Sequence, residues 1–417
     1  MKKGISRLSL IEIFLFIYIL LPSNVYLLGL NLVFLFPLCF IFLWLILHCK
    51  EVFDFSIIKE NIFYWINILV ISIITFLSFP GKGIVQFVID FAISFIVVFE
   101  IYKKKKFIRI IDILIYASLV SCLVGIVECC LQTNIFQTLI GNDDYFKEIR
   151  FGIWRTESQF TQPISFGNYL VIMSCFLCYR FNTDLSFNKK KLYKFIYLLY
   201  WICSLLTVSR STILFFIIVQ IIFFSYNKKK RYDYLFLGGV CSLCAVCYLA
   251  ISNSEFIDKL LDSYLAIFSN NNNSEIYSGV GDRFRLYSWV IEDMDGKYLL
   301  GVGTKVFEYR LDAYSIKESI EVEYLHYLYY YGIIGLVSLI VSYLSNLIYL
   351  NKIKSKGRIF QEEKNYNFNF YVKCFIYIFL IVLFSTTQGE IRKLYNILIP
   401  MVIGYNLLFK KGVKALR

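Results

Sequence analysis

The chain has 417 residues, 58% hydrophobic and 19% aromatic, with a mean hydropathy of +0.63. A soluble chain of this length would fold as two or three amphipathically patterned domains, and this composition excludes that. The net charge of +13 is divided among basic clusters between apolar runs, which excludes a nucleic-acid surface and reads as cytoplasmic anchoring of membrane helices.

Apolar runs of about 18–25 residues can cross a hydrocarbon core of ~30 Å. In lipid they must be helices, because every backbone group has to be satisfied internally. The expected fold class is an all-α integral membrane protein with about twelve transmembrane helices. In chain order they fall near 9–28, 30–48, 62–79, 84–102, 107–127, 163–180, 192–208, 211–226, 234–251, 324–350, 369–387 and 393–409. The first lacks a small-residue cleavage site and reads as an uncleaved helix. With the N-terminus inside, the clusters at 103–106, 188–194, 227–231, 351–358 and 410–417 all face the cytoplasm, so both termini are expected there.

Nine helices are thus expected within 1–251 and three within 324–417, separated by a large outer loop at 252–323. The loop holds a flexible polar tract, "SNNNNSE" (269–275), followed by "GDRFRLYSWVIEDMDGKYLLGVG", whose helical spacing predicts short helices at the membrane surface. A second outer segment spans about 128–162. The twelve cysteines sit mainly in apolar runs, so neither a disulfide framework nor a metal site is expected; "CSLCAVC" (241–247) reads as small hydrophobes.

The chemistry-bearing residues on the outer side are few. Arg155 lies before a span, Arg210 in the tight turn "TVSRST", and Arg283 and Arg285 in the long loop. Guanidinium groups at this depth either snorkel or pair with acids such as Glu157 and Asp282, or they line a polar cavity. There they would fork onto phosphate oxygens. The stretch "EVEYLHYLYYYGIIGL" (321–336) gathers Glu321, Glu323, His326 and a run of tyrosines that reads as an interfacial aromatic belt, with Glu323 on the surface.

Four patches resemble the bacterial O-antigen polymerase and O-antigen ligase families. They are "RTESQFTQPISFGNYL" (155–170, with Arg155, Phe160 and Pro163), "LLTVSRSTILFF" (205–216), "DRFRLYSWVIEDMDGKYLLGVG" (282–303) and "EVEYLHYLYYYGIIGL". In the third, Arg283 fits with Leu286, Tyr287 and Gly301; Arg285 with Trp289 is the alternative. The resemblance implies a GT-C-like enzyme of the bacterial cytoplasmic membrane that works on its outer face without metal or other cofactor. It would transfer a glycan from undecaprenyl diphosphate to a sugar hydroxyl of a lipid-linked repeat unit. Arg155, Arg210, Arg283 and Arg285 would hold the diphosphate, and Arg210 would also serve catalysis. Its partners would be the lipid-linked donor and acceptor, membrane lipid, a chain-length regulator and a flippase.

In ligase-like members a histidine stands about eleven residues before the first glycine of the Gly-x-x-Gly pair. Counting back from Gly332 gives Glu321; His326, five residues on, is rotated by about 140° on a helix. That departure favours a polymerase over a ligase and leaves open whether Glu321, Glu323 or His326 is the base; Glu321 is the expected one, with His326 contacting sugar or diphosphate. A lipid-linked sugar flippase is the competing class, with Asp90, Asp112 and Glu128 as its intramembrane acids, scattered and near span ends.

Overall fold

Helix α1 (Leu10–Leu20) starts where the sequence supplies a capping box, the Ser9 backbone N–H donating to Glu12 Oε2 at 3.0 Å. It stops ahead of Pro22, whose ring disfavours helical backbone at the preceding residue; Leu21 is extended, at φ −69° and ψ 120°. The helix expected over 9–28 is therefore cut to 11 residues. A hairpin of β1 (Tyr26–Leu27) and β2 (Leu30–Asn31) follows.

The structure, a computed structural model, describes residues 8–22, 25–27, 30–48, 55–136, 149–150, 153–160, 162–181, 186–226, 280–303, 320, 322–357, 376–378, 380 and 388–415. The expected helix at 234–251, most of that at 369–387, the tract 269–275 and Glu321 lie outside these residues. The described chain continues through α2 (Leu32–His48), α3 (Phe55–Glu60), α4 (Ile62–Ser78), α5 (Pro80–Tyr102) and α6 (Phe107–Leu131). A second hairpin, β3 (Ile149–Arg150) with β4 (Ile153–Trp154), precedes α7 (Pro163–Phe181). Then come α8 (Phe187–Leu206), α9 (Arg210–Tyr226), α10 (Val280–Asp293), α11 (Glu323–Gly357) and α12 (Gln388–Ala415). Among the described residues, four helices are long and apolar enough to cross a membrane: α5, α6, α7 and the stretch Glu323–Ile348 of α11. Among the shorter apolar helices are Leu10–Leu20, Leu32–His48, Ile62–Ser78 and Leu394–Leu408. Apart from the two short hairpins, the described residues are helical, and by its apolar helices the chain is a multi-pass membrane protein.

The chain divides into two units. One comprises Met1–Ser121, Val337–Lys373 and Gly389–Arg417; the other comprises Cys122–Leu336 and Cys374–Gln388. In the first, α4 and α5 form a tight helical hairpin turned at Phe79–Pro80. Proline suits the first helical position because its missing N–H would have no partner there. A Cβ on Gly83 would stand 2.5 Å from the Phe76 backbone, so only glycine allows this approach. Because α5 begins at Pro80, Asp90 stands about three turns inside it, not near a helix end as the sequence reading had it. Asp90 Oδ1 accepts from Asn396 Nδ2 at 2.6 Å, and Asn67 bonds both Tyr395 and Ser338. Such interhelical hydrogen bonds fasten helices where lipid offers no hydrophobic drive to pack. Within the basic cluster 103–106, Lys106 Nζ is fixed 2.6 Å from the buried Glu100 carboxylate.

Candidate functional site

The second unit contains the four patches singled out from the sequence together with their supporting glycines. Trp154, the last residue of β4, feeds a buried turn, Arg155–Phe160, which runs into α7. Pro163 opens α7, and Phe160 folds back on Phe166 and Tyr169 with ring centroids 6.1 and 5.2 Å away. The arginine, aromatic and proline of this motif thus share one local structure, in which the aromatic anchors the turn to the helix that proline starts.

Arg155 is 3% exposed, and its Nε donates to the Thr207 carbonyl at 2.8 Å. The next backbone N–H, of Thr156, donates to Leu206 O at 3.3 Å. These two bonds join the "RTESQF" turn to the "LLTVSR" turn. The latter caps α8: Thr207 N donates to Cys203 O and Val208 N to Leu205 O. Val208 then adopts φ 47°, which a β-branched residue rarely takes and which costs free energy. This left-handed step reverses the chain, so that α9 starts at Arg210 only four residues after α8 ends. The start of α9 is held against α7 at Gly167, where any Cβ would overlap the Thr212 side chain.

A carboxylate supports the Arg155 turn from a third direction. Glu128, near the end of α6, is fully buried, and its Oε2 accepts the backbone N–H of Ser158 at 2.8 Å and of Glu157 at 3.3 Å. Ser158 has φ 53°, and a turn with one left-handed residue can make consecutive N–H groups converge on one acceptor. Glu157, also buried, accepts from Asn134 Nδ2 at 3.3 Å. The sequence marked Glu128 only as a scattered acid; the one signal for it was its place at the end of a long apolar run.

The other two patches meet at a break in α11. Gly332 has φ 64° and ψ −168°, a backbone region open only to glycine. In an unbroken helix the N–H groups of Ile333 and Ile334 would donate to Tyr329 O and Tyr330 O. Instead Ile333 N donates to Tyr298 O at 2.8 Å and Ile334 N to Leu299 O at 3.2 Å. The two vacated carbonyls accept from Val302 N at 2.8 Å and Gly303 N at 3.1 Å. The segment "YLLGVG" is thus stitched into the helix by four bonds. A Cβ on Gly301 would stand 2.6 Å from Gly332 N, and Gly301 and Gly303 have φ 73° and 82°. Gly301 and Gly332 are both explained by this one contact, whereas Gly335 is set by Tyr331 of its own helix.

The first turns of α11 are less exposed than the sequence reading had them. Val290, Met294, Ile320, Val322, Leu325 and Tyr329 form a buried apolar cluster that draws the helix start inward. Glu323, expected on the surface, is fully buried, with Oε2 3.9 Å from His326 Nδ1. The tyrosine run is not simply an interfacial belt: Tyr327, Tyr329 and Tyr331 are buried, and Tyr329 OH donates to Asp293 Oδ2 at 2.6 Å. That bond ties the end of α10, the helix that carries Arg283 and Arg285, to α11 beside His326. Arg283 and Arg285 fall in the first half of α10 and Arg210 opens α9.

Residues 195–340, from within α8 to within α11, match the family model described as O-antigen ligase. The chain carries an O-antigen ligase family domain. No curated protein matches it. The O-antigen ligase match covers the α8–α9 turn, α10, the inserted loop and the broken helix, while Arg155 and α7 precede it. Proteins of this family carry out ligase- or polymerase-type transfer of lipid-linked glycans in polysaccharide biosynthesis.

Proposed function

We propose that the protein is a polysaccharide polymerase. It moves a growing glycan from undecaprenyl diphosphate to the terminal sugar hydroxyl of a lipid-linked repeat unit, on the outer face of the bacterial cytoplasmic membrane. The observation that carries this reading is the bond from Arg155 Nε to Thr207 O. It draws one arginine motif onto the turn that opens α9 at Arg210. The N-terminal end of a helix favours negative charge, through its unpaired N–H groups and dipole.

The reaction forms a bond from the acceptor oxygen to the donor anomeric carbon and breaks the bond from that carbon to the diphosphate. The electron pair leaves with undecaprenyl diphosphate. Arg155, Arg210 and Arg283, with Arg285 as the alternative to Arg283, stabilise the charge that develops there. Glu321 takes the acceptor proton, and His326 contacts sugar or diphosphate. A second reading of the base rests on the 3.9 Å approach of Glu323 to His326: the buried carboxylate orients the ring, and imidazole accepts the proton. A chain-length regulator and a flippase would act before or beside this step.

The test is reconstitution of the purified protein with lipid-linked repeat units and, separately, with a lipid acceptor unrelated to the repeat. A ladder of products from the repeat units alone supports the polymerase. Single transfer to the foreign lipid would make the protein a ligase. Movement of the substrate across the bilayer without any new glycosidic bond would make it a flippase. Activity is expected to persist in EDTA.

A further inference from the structure

We infer that Glu128 is a positioning residue of the transfer site, acting through Arg155. This rests on the reading of Arg155 as a diphosphate contact. The carboxylate is fully buried, in a helix otherwise built of apolar residues around it, where a charge is costly unless its oxygens are bonded. One oxygen, Oε2, gathers two consecutive backbone N–H groups, from Glu157 at 3.3 Å and Ser158 at 2.8 Å. These residues follow Arg155 by two and three positions, and Ser158 is in the left-handed conformation. On the other side of Arg155, Thr156 N and Arg155 Nε reach Leu206 O and Thr207 O. The arginine is therefore held between two clamps, one on α8 and one at the end of α6. Without the α6 clamp, two buried N–H groups lose their acceptor and the left-handed step at Ser158 loses what holds it. The Arg155 turn then shifts, and with it the geometry of the Nε–Thr207 bond that aims the guanidinium.

The chemistry separates Glu128 from a charge partner or proton carrier. The Glu157 and Ser158 N–H groups use one oxygen, so glutamine can accept both with its carbonyl, while the Ile135 N–H also faces the side chain. Aspartate keeps the charge but is one methylene short. The experiment uses the full chain reconstituted in vesicles, with undecaprenyl diphosphate as the binding probe and glycan transfer as the second readout. Glu128→Ala and Glu128→Asp are expected to weaken binding about tenfold to 100-fold, the scale on which small misplacements act. Glu128→Gln should restore most of it. Because Glu128 acts through Arg155, the Glu128→Ala/Arg155→Ala double variant should bind no more weakly than Arg155→Ala alone.

The proposal is overturned if Glu128→Gln is as weak as Glu128→Ala, which would assign the role to charge. It is also overturned if the two losses multiply, as a general structural role would make them. Should Glu128→Ala fail to insert, Glu128→Asp carries the comparison, and wild-type binding by Glu128→Asp overturns the proposal. If Arg155→Ala itself binds like wild type, the arginine clamp falls and this inference with it. If Arg155→Ala is weak while both Glu128→Ala and Glu128→Asp match wild type, the clamp stands and only the role of Glu128 is lost.

Discussion

Arg155 is buried with its Nε on a backbone carbonyl, so its guanidinium plane is fixed before any substrate arrives. Preorganised charge of this kind is worth most where charge develops in a transition state. Arg155→Ala, Arg210→Ala and Arg283→Ala are each expected to lower transfer about 100-fold or more with normal membrane insertion, measured as polymer formed per inserted protein. Lysine at these positions should rescue poorly, since it lacks the planar fork. Normal polymer from Arg210→Ala would remove the catalytic role given to the α8–α9 turn. The base is decided by Glu321→Gln against His326→Gln, since glutamine keeps size and hydrogen bonding but takes no proton. Loss in Glu321→Gln is expected; activity there with a dead His326→Gln would transfer the role to the Glu323–His326 pair. Arg155 stood out in the sequence because arginine is rare in the segments expected outside, and the structure finds it buried and bonded. The burial of Glu323 was not, because an acid two residues from Glu321 in a polar stretch gives no sign of which side faces the Val290–Met294 cluster.

At the level of elements, the glycines divide into two kinds that a melting experiment can separate. Gly296 has φ 77° but open space around it, so Gly296→Ala carries only the conformational cost of about 1 kcal/mol. Gly332 adds a Cβ overlap with the Leu299 backbone, so Gly332→Ala should cost about 3 kcal/mol or more. The expected order of thermal midpoints in detergent is wild type, Gly296→Ala, then Gly332→Ala. Equal midpoints for the two variants would mean that the loop is not seated in the helix. Helix α7 was legible to within a residue, because Pro163 marks its first turn. Helix α5 was read late, since "PGKG" looks like a loop until Gly83 is seen against Phe76. The break in α11 was illegible: the apolar residues run on through Gly332, and what interrupts the helix is backbone from some thirty positions earlier.

For the whole molecule, alternating basic clusters remain the argument for topology, with an outer loop between the ninth and tenth expected helices. An impermeant thiol reagent should reach a cysteine placed at Asn272 from outside, and one at Lys229 only after permeabilisation; the reverse would invert the molecule. The stitched junction between "YLLGVG" and α11 also bears on how such a protein tolerates insertions. Its four hydrogen bonds fix Tyr298, Leu299, Val302 and Gly303 on one side and Tyr329, Tyr330, Ile333 and Ile334 on the other, so the chain between Gly303 and Tyr329 leaves and returns to a single seam. Lengthening a segment whose ends are already pinned adds little entropy cost, since closure grows only slowly with length. Insertions placed within 304–319, ahead of the buried Ile320 and of Glu321, should therefore leave transfer activity in place, whereas exchange of 320–322 should not.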